Sequence, residues 1–160
     1  MTYGHIISFA DLESLRSQLS GQTLVLGTGC FDLLHVGHLY FLKDARKQGD
    51  VLVIGINSDQ AVRAIKGSTR PIIRQEDRAE LIAAFRFVDH VFIYDDVAAD
   101  ECILNLKPDV YAIGEESVKA YPGELAAVKS IGGRIHVVKR IPFISTTSVV
   151  ANILNENTSI

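Results

Sequence analysis

Residues 27–50 read GTGCFDLLHVGHLYFLKDARKQGD, and they contain the transition from a strand-like pattern to a helix-like one. The apolar run TLVLGTG (23–29) precedes the transition, and a helical pattern that stops at Gly49 follows it. An apolar strand that passes through a glycine-containing turn into a helix is typical of the first half of a βαβ unit. The stretch therefore predicts an α/β protein, and it places two histidines, His35 and His38, at the start of the helix.

The same alternation continues along the chain. Four more apolar runs of strand length follow: VLVIGIN (51–57), HVFIY (90–94), DVYAIG (109–114) and RIHVVK (134–139). Helical patterns lie between them at 74–85, 97–107 and 122–133, and two further helices are expected at about 8–20 and 146–155. Runs that are continuously apolar are typical of strands covered on both faces. We therefore expect a single α/β domain over residues 1–160, with a five-stranded parallel sheet and right-handed crossovers.

Composition excludes several classes of protein. The chain has 160 residues, is 48% hydrophobic and carries a net charge of −3, so it can form a core and has no large basic field for nucleic acid or anionic membranes. Its two cysteines, Cys30 and Cys102, show neither a disulfide framework nor zinc-ligand spacing. No signal-like start and no apolar run of about 18–20 residues is visible. We expect a soluble cytoplasmic protein.

The histidine motif lies where open α/β sheets bind ligands, at the carboxyl end of a strand. Glycines at 27, 29 and 37 allow a ligand to approach the backbone, and a helix N-terminus attracts an anion such as phosphate. His35 and His38 lie within one helical turn and can face that anion together. Arg46 follows on the same helix face, and we expect its guanidinium to reach the edge of the site.

Two other interpretations compete with a phosphate site. His-x-x-His supplies only two metal ligands, and no third ligand stands at suitable spacing. The histidines can also simply cap or pack at a helix start. The dinucleotide fingerprint is absent, because Asp32 occupies the position of its third glycine. The phosphate interpretation is the one that explains the glycines, strand, helix and histidines together.

The segment GCFDLLHVGH (29–38) resembles the signature of the His-x-Gly-His nucleotidyltransferase superfamily, the cytidylyltransferase-like enzymes. The resemblance extends from about residue 6 to residue 153, and its further matches occur in the expected order: GINSD (55–59), KGSTRP (66–71), RAELIAAFRFVD (78–89) and ISTTSVV (144–150). It implies a Rossmann-like three-layer sandwich. It also implies an enzyme that joins the nucleotidyl group of a nucleoside triphosphate to a substrate phosphate and releases pyrophosphate. Mg²⁺ is expected to bind mainly through the triphosphate, with no confident protein ligand.

The resemblance also implies roles for individual residues. His35 and His38 are expected to hold the α- and β-phosphates and to stabilise the pentacoordinate transition state, with Arg46 and Arg140 as further catalytic groups. The nucleotide-binding positions are Gly29, Cys30, Phe31, Asp32, Gly37, Gly114, Glu115, Ile144, Ser145, Thr146 and Thr147. The substrate-binding positions are Asp59, Lys66, Arg78 and Arg86. Plainer interpretations stay open for many of these: a helix cap for Asp59, Ser145 and Thr146, a helix-end salt bridge for Arg86, and solvated surface charge for Lys66, Arg78 and Arg140.

Two subfamilies compete for the substrate assignment. The N-terminal helix, GCFD, NSD and KGSTRP resemble the heptose-1-phosphate adenylyltransferase domain of lipopolysaccharide synthesis, which has Lys-Gly-Gly-Asp where this chain has AIGEES (112–117). Arg140 before ISTT and Arg86 before FVD resemble cytidylyltransferases that act on small alcohol phosphates or phosphonates. The sequence therefore favours CTP and a small polar acceptor, with the ATP-dependent sugar-phosphate enzyme as the alternative. A non-catalytic nucleotide-binding protein and a flavodoxin-like module stay open, and a homodimer is expected from the family.

Overall fold

The computed structural model of the protein describes residues 3–142 and 145–156. Its centre is a parallel sheet of six strands in the order β1-β4-β3-β2-β5-β6. The strands are β1 (His5–Ile6), β2 (Leu24–Gly29), β3 (Val51–Asn57), β4 (His90–Tyr94), β5 (Val110–Gly114) and β6 (Arg134–Val138).

Seven α-helices connect or flank these strands in the described ranges: α1 (Leu12–Gln18), α2 (Val36–Arg46), α3 (Asp59–Lys66), α4 (Gln75–Ala83), α5 (Asp100–Leu106), α6 (Pro122–Ser130) and α7 (Thr146–Glu156). One apolar cluster packs α1, α5 and α6 on one face of the sheet, and a second packs α2 and α4 on the other. This is a three-layer sandwich. Within the described ranges, no helix combines the length and apolar character that a membrane span requires.

The α/β class and the parallel sheet are confirmed, but the predicted number of strands is one too low. The extra strand, β1, has only two residues and pairs with β4 at the edge of the sheet. A strand this short cannot display an alternating or continuous apolar pattern, so periodicity gives no signal for it. The terminal helices agree with the sequence, because a 3₁₀ turn at Phe9–Asp11 leads into α1 and α7 begins at Thr146.

The strand order creates a single switch point in the sheet. The chain leaves β2 for β3 and then β4 on one side, and it returns to place β5 and β6 on the other side. The carboxyl ends of β2 and β5 therefore lie next to each other while their connections diverge. In open α/β sheets, this is the position at which a crevice for a ligand forms. Gly29 ends β2 and Gly114 ends β5, so both predicted glycines border the crevice.

Glycine in β2 lets α2 approach the sheet closely. A Cβ atom at Gly27 would lie 2.9 Å from Cε1 of Phe41, which is shorter than real Cβ contacts. The Phe41 ring of α2 consequently occupies the space above the strand. This packing fixes the helix that carries the histidines against the centre of the sheet.

Two aspartates anchor the opposite, amino-terminal edge of the sheet. Asp109 accepts hydrogen bonds from the Leu24 N–H at 2.8 Å and from both terminal nitrogens of Arg16. Asp89 accepts from the Leu52 N–H at 2.8 Å and from Nη1 of Arg46 at 2.7 Å. Each carboxylate thus joins the start of a neighbouring strand to a helix, which leaves the carboxyl edge for ligand chemistry.

Candidate functional site

His35 and His38 form a stacked pair at the start of α2. Their ring centroids are 3.9 Å apart and their planes differ by 19°. His35 is the N-cap residue, and its Nδ1 accepts the Gly37 N–H at 3.1 Å. Nδ1 of His38 accepts the His35 N–H at 3.4 Å. Because both Nδ1 atoms accept backbone protons, each neutral ring carries its own proton on Nε2.

The surroundings keep both imidazoles neutral. Burial lowers the pKa of His38 from 6.5 to about 4, and the charges of His35 and Lys66 act in the same direction. Burial also lowers the pKa of His35, with a contribution from the charge of Arg140. At neutral pH the pair therefore offers two N–H donors rather than two imidazolium charges. Such donors suit phosphate oxygens without requiring a metal or a proton shuttle.

The loop between β2 and α2 is held in an unusual conformation. Phe31 and Leu33 have φ angles of 50° and 52°, in the left-handed region that L-residues rarely adopt. Between them, the buried carboxylate of Asp32 accepts the Ile72 and Ile73 N–H groups at 3.0 Å and pairs with Arg70 at 3.1 Å. These bonds fix the histidine loop against the segment between α3 and α4. Strain of this kind is concentrated at functional sites.

Arg78 joins three parts of the carboxyl edge from beneath. Its side chain is 0% exposed. Nε donates to the carbonyl of Ile73 at 2.9 Å, and Nη1 donates to the carbonyls of Cys30 and Asn57, the latter at 2.9 Å. Nη2 donates to Asp59 at 2.8 Å. The guanidinium therefore serves as an internal support for the loops that follow β2 and β3.

A cavity of about 220 Å³ opens above this support. Its lining comes from the turn after β2 and the start of α2, from the segment after β5, and from the two segments that flank residues 143–144. Lys66, Lys139 and Arg140 supply positive charge around it, and Glu116 lies 3.9 Å from Arg140. The cavity thus combines the imidazole donors with cations, as a polyphosphate would require.

The start of α7 closes one side of this cavity. Ser145 and Ser148 cap each other, because the Ser148 N–H donates to Oγ of Ser145 at 3.1 Å and the Ser145 N–H donates to Oγ of Ser148 at 2.9 Å. Oγ1 of Thr146 donates to the carbonyl of Asp32 at 2.6 Å. The capping interpretation is therefore realised for Ser145. The same helix start also lines the cavity and is tied to the histidine loop, although the two are more than 100 residues apart in sequence.

A second cavity of about 190 Å³ adjoins the first and shares part of its wall, including His38 and Lys66. It extends under β4 and β5 on the face of α5 and α6, where Tyr94, Tyr111 and Glu124 line it. The crevice at the switch point consequently has two compartments, one beside the histidines and one deeper beside the tyrosines.

Most of the residues predicted for the site lie at these two cavities. Those that line at least one of them are Gly29, Cys30, Phe31, Asp32, His35, Gly37, His38, Lys66, Gly114, Arg140, Ser145, Thr146 and Thr147. Their placement brings them together, while the chemical role assigned to each stays a prediction. Ile144 lies outside the described residues.

The prediction that Arg46 reaches the edge of the site is wrong. Arg46 ends α2, and the helix rises about 1.5 Å per residue, so it lies on the order of 15 Å from His35 along the axis. Its guanidinium is instead bound to Asp89 and to the carbonyl of Asp50, at the amino-terminal edge of the sheet. Arg86 is likewise misplaced by the prediction, because it is an exposed residue of the turn between α4 and β4, at the same far edge.

Three further residues predicted for the site line neither cavity. Arg78 is fully buried and its nitrogens donate to protein groups, so the prediction that it binds substrate phosphate is wrong. Asp59 pairs with Arg78 and lines neither cavity. Glu115 is exposed and lines neither cavity, while its neighbours Glu116 and Ser117 line the first cavity.

Several residues that line the two cavities were not predicted from the sequence, most of them because they lie far from the motifs along the chain. The main ones are Thr28, Phe41, Asn57, Arg70, Tyr94, Tyr111, Ser117, Tyr121, Glu124 and Lys139. Thr28 lies inside the opening motif, and strand alternation places it opposite Gly27 and Gly29, which was a usable signal. The tyrosines and Glu124 had no motif of their own, because only the strand order brings them to the crevice.

Comparison with known proteins agrees with this architecture. The cytidylyltransferase-like family matches residues 26–152. The protein named bifunctional protein HldE from Campylobacter fetus subsp. fetus is 42% identical over 152 residues, which covers 92% of this chain and 31% of that protein. HldE from Geobacter metallireducens is 41% identical, with 96% of this chain and 33% of that protein covered. The chain thus spans about a third of the length of the curated relatives it matches.

Solved structures show the same fold. The lipopolysaccharide core biosynthesis protein from Thermoplasma volcanium GSS1 is 29% identical with a TM-score of 0.64, covering 78% of this chain and 100% of that one. The pantoate-beta-alanine ligase from Francisella tularensis has a TM-score of 0.61 at 16% identity, covering 96% of this chain and 78% of that one. At that identity, the second match is evidence for the fold alone, and it agrees with a Rossmann-like sandwich.

Replacement of Arg78 by lysine should destabilise the protein. Lysine keeps the charge but cannot reach three carbonyls and Asp59 together, so we expect a loss of about 2–4 kcal/mol in the free energy of unfolding. Denaturant unfolding measures this loss. The matched control is Arg74→Lys, because Arg74 is an exposed arginine paired with Asp77, and this replacement should have no measurable effect on the free energy of unfolding. Unchanged unfolding of the Arg78 variant with weakened substrate binding would instead favour a ligand role.

Replacement of Gly114 by alanine should affect binding and not folding. A Cβ atom at Gly114 would meet no atom within 4 Å, so the methyl group would project into open space at the wall shared by both cavities. We expect an unchanged free energy of unfolding and nucleotide binding weakened about ten-fold, equivalent to roughly 1.4 kcal/mol. Calorimetric titration with nucleotide checks the second part. Wild-type affinity in the variant would show that the ligand does not use this wall.

The histidine pair should make stability depend on pH in a defined direction. The unfolded chain protonates His38 near pH 6.5 and the folded chain only near pH 4, so the unfolded state binds more protons between these values. The free energy of unfolding should therefore fall as the pH decreases through this window. His38→Gln should reduce the fall by about 2 kcal/mol. Urea unfolding at several pH values measures it, and identical pH profiles for the two proteins would contradict the neutral, buried state.

Proposed function

The chain belongs to the cytidylyltransferase-like family, and we propose that it is a nucleotidyltransferase that moves the nucleotidyl group of ATP to the phosphate of a sugar phosphate. The products are a nucleoside-diphosphate sugar and pyrophosphate. The first cavity binds the triphosphate, and the second binds the acceptor. The transferred phosphorus then lies where the two cavities meet, beside His38 and Lys66, which line both.

The observation that carries the proposal is the stacked pair of neutral histidines facing the start of α7 across the first cavity. In each ring, Nδ1 accepts a hydrogen bond from a backbone N–H, which leaves the Nε2–H group as a donor. Donors placed in this way need no reorganisation when charge develops on a phosphate during transfer. A pair of metal ligands would need a third partner, and within residues 3–142 and 145–156 no group of three or more histidine, cysteine or acidic residues forms a metal cage.

The reaction itself requires positioning more than a protein nucleophile. The acceptor's phosphate oxygen attacks the α-phosphorus of the nucleotide, the bond from that phosphorus to the bridging oxygen breaks, and pyrophosphate leaves with the bonding electrons. Negative charge builds on the α-phosphate oxygens and on the leaving group. The imidazole N–H groups, Lys66 and Arg140 surround that charge, and the Thr147 hydroxyl at the start of α7 can donate to the departing phosphates. Mg²⁺ would arrive on the triphosphate and neutralise part of its charge.

The choice of nucleotide shifts from the one that the sequence favours. The HldE relatives and the Thermoplasma volcanium protein named for lipopolysaccharide core biosynthesis support the ATP-dependent sugar-phosphate alternative over CTP. The substitution of AIGEES for Lys-Gly-Gly-Asp after β5 remains a difference from that subfamily at the edge of the first cavity. An assay that compares ATP with CTP, its competitor as substrate, therefore has to identify the nucleotide base. Homodimerisation and a cytoplasmic location stay predictions.

The proposal is tested by pyrophosphate release. Purified protein with Mg²⁺ is assayed with ATP, CTP, UTP and GTP against sugar 1-phosphates, glycerol 3-phosphate, phosphocholine and phosphonates. We expect ATP with a sugar 1-phosphate to give the highest kcat/KM, and omission of Mg²⁺ to abolish turnover. Turnover with CTP and an alcohol phosphate would restore the cytidylyltransferase assignment. No turnover with any pair, together with no nucleotide binding, would refute the transferase.

His38→Ala should lower kcat by about 10²–10³-fold, the effect of removing one charge-stabilising donor. Arg46→Gln is the control on the same helix, because Arg46 lies at the far edge of the sheet, and it should keep kcat within about two-fold. The free energy of unfolding of both variants separates loss of fold from loss of chemistry. Near-normal turnover in a folded His38 variant would contradict the role of the pair, and a large loss in the Arg46 variant would contradict its placement.

A further inference from the structure

We infer that Thr28, held by Tyr111 and Glu124, is a specificity-determining residue that recognises a hydroxyl group of the acceptor in the second cavity. The inference rests on the proposed function, because it names the part of the acceptor that this cavity selects. It adds specificity-determining residues that carry no family motif in this sequence.

The deeper wall of the cavity contains a chain of three hydrogen-bonded side chains. Oη of Tyr111 donates to Oε2 of Glu124 at 2.8 Å, and it lies 2.7 Å from Oγ1 of Thr28. Oε1 of the same carboxylate accepts the Ala99 N–H at 2.9 Å. Tyr111 is 1% exposed and Glu124 is 4% exposed, so neither can present much surface to a ligand. They act through Thr28, which is only partly buried.

The direction of the chain determines what Thr28 offers. A tyrosine hydroxyl has one proton, and Tyr111 gives that proton to Glu124. The bond between Tyr111 and Thr28 must then use the proton of Thr28. Oγ1 of Thr28 is left with lone pairs and no free proton, so at the cavity wall it is a hydrogen-bond acceptor. Tyr94 also lines this cavity and interacts with the Thr28 hydroxyl, and because it has a single proton it can occupy at most one of the two lone pairs of Oγ1.

A fixed acceptor selects a particular kind of ligand group. A hydroxyl group of a ligand can donate to Oγ1 of Thr28, whereas an ether, a methyl group or a quaternary ammonium cannot. The side-chain amide of Asn57, which also lines the cavity, is held in place, since its Nδ2 donates to the carbonyl of Asp96 and its Oδ1 accepts from Cys30. The ring of Tyr121 forms a further part of the wall and gives it an apolar surface with a polar hydroxyl at one end.

The same cavity also carries the charge for a phosphate. Lys66 lines both compartments, and no described carboxylate forms an ion pair with its ammonium group. Arg70 also lines the second cavity, but its guanidinium is bound to Asp32. A ligand with its phosphate at Lys66 and its hydroxylated body toward Thr28 would therefore place that phosphate at the junction with the first cavity, where attack on the nucleotide takes place.

Gly55 shows that the position of Thr28 is built into the sheet. A Cβ atom on Gly55 would lie 2.8 Å from Cζ of Phe92 and 3.1 Å from Cγ2 of Thr28. The glycine in β3 therefore makes room for the threonine methyl group on the adjacent strand. With the methyl group seated there and Oγ1 bound to Tyr111, the rotamer of Thr28 is fixed.

The test measures acceptor binding separately from turnover. The wild type, Thr28→Val, Thr28→Ser and Tyr111→Phe are titrated calorimetrically, in the presence of Mg²⁺ and a non-hydrolysable ATP analogue, with glucose 1-phosphate, galactose 1-phosphate, mannose 1-phosphate and ethyl phosphate. Ethyl phosphate keeps the charge and lacks the hydroxyl groups. Valine has the shape of threonine without its oxygen, and serine restores the oxygen.

We expect at least one sugar phosphate to bind the wild type about ten-fold or more tightly than ethyl phosphate. Thr28→Val should remove most of that preference, while the affinity for ethyl phosphate stays the same. Thr28→Ser should retain it. Tyr111→Phe should weaken the preference without changing nucleotide binding, a selective effect that a general loss of packing would not produce.

The outcomes distinguish this inference from the proposed function. A Thr28→Val protein with the wild-type preference, or a wild type that binds no sugar phosphate better than ethyl phosphate, overturns the inference even if pyrophosphate is released. Selective sugar-phosphate binding that depends on Thr28, with no turnover for any nucleotide, supports the inference and refutes the proposed function. Equal weakening of every ligand in Thr28→Val would show a packing defect and would also overturn the inference.

Discussion

The buried guanidinium of Arg78 is the constraint on which the carboxyl edge of the sheet depends. A fully desolvated charge is tolerated only when its donors are satisfied, and here they bind the carbonyls of Cys30, Asn57 and Ile73 and the carboxylate of Asp59. Those carbonyls belong to the turn after β2, the end of β3 and the segment before α4. One side chain thus fixes the turn after β2, which lines both cavities, against the end of β3 and the segment before α4.

The histidine half of the site could be predicted because its parts are local in sequence. Glycine, the helix start and the two histidines lie within ten residues, so their spacing determines their geometry. Arg46 fails for a related reason. Helical periodicity indicates which face of α2 a residue occupies, but a site has a fixed depth, and eleven residues of helix carry the side chain past it to Asp89. The spacing of residues along a helix therefore predicts which face a side chain lies on, but not how far along the helix axis it lies from the site.

The charge of a residue was the least reliable indicator of whether it lies at the site. Arg78, Arg86 and Lys66 look alike as cations in a motif-rich sequence, yet one is an internal support, one is exposed at the far edge and one lines both cavities. The three residues differ in how deeply they are buried and in which edge of the sheet they lie at. Both properties follow from the strand order and not from the neighbouring residues in the sequence. The same limit hides the chain from Thr28 to Tyr111 to Glu124, because its first two members are 83 residues apart and meet only when β5 pairs with β2.

The electrostatics of the histidine pair follow from the same assembly. Burial and the nearby cations lower the pKa values of His35 and His38, so the free site holds neutral donors beside Lys66 and Arg140 instead of four positive charges in one cavity. A negative charge placed beside an imidazole raises its pKa, so a triphosphate bound in the first cavity would move both pKa values upward from their lowered positions. A pair of buried histidines can respond in this way, whereas lysines in their place would repel one another before the ligand arrives.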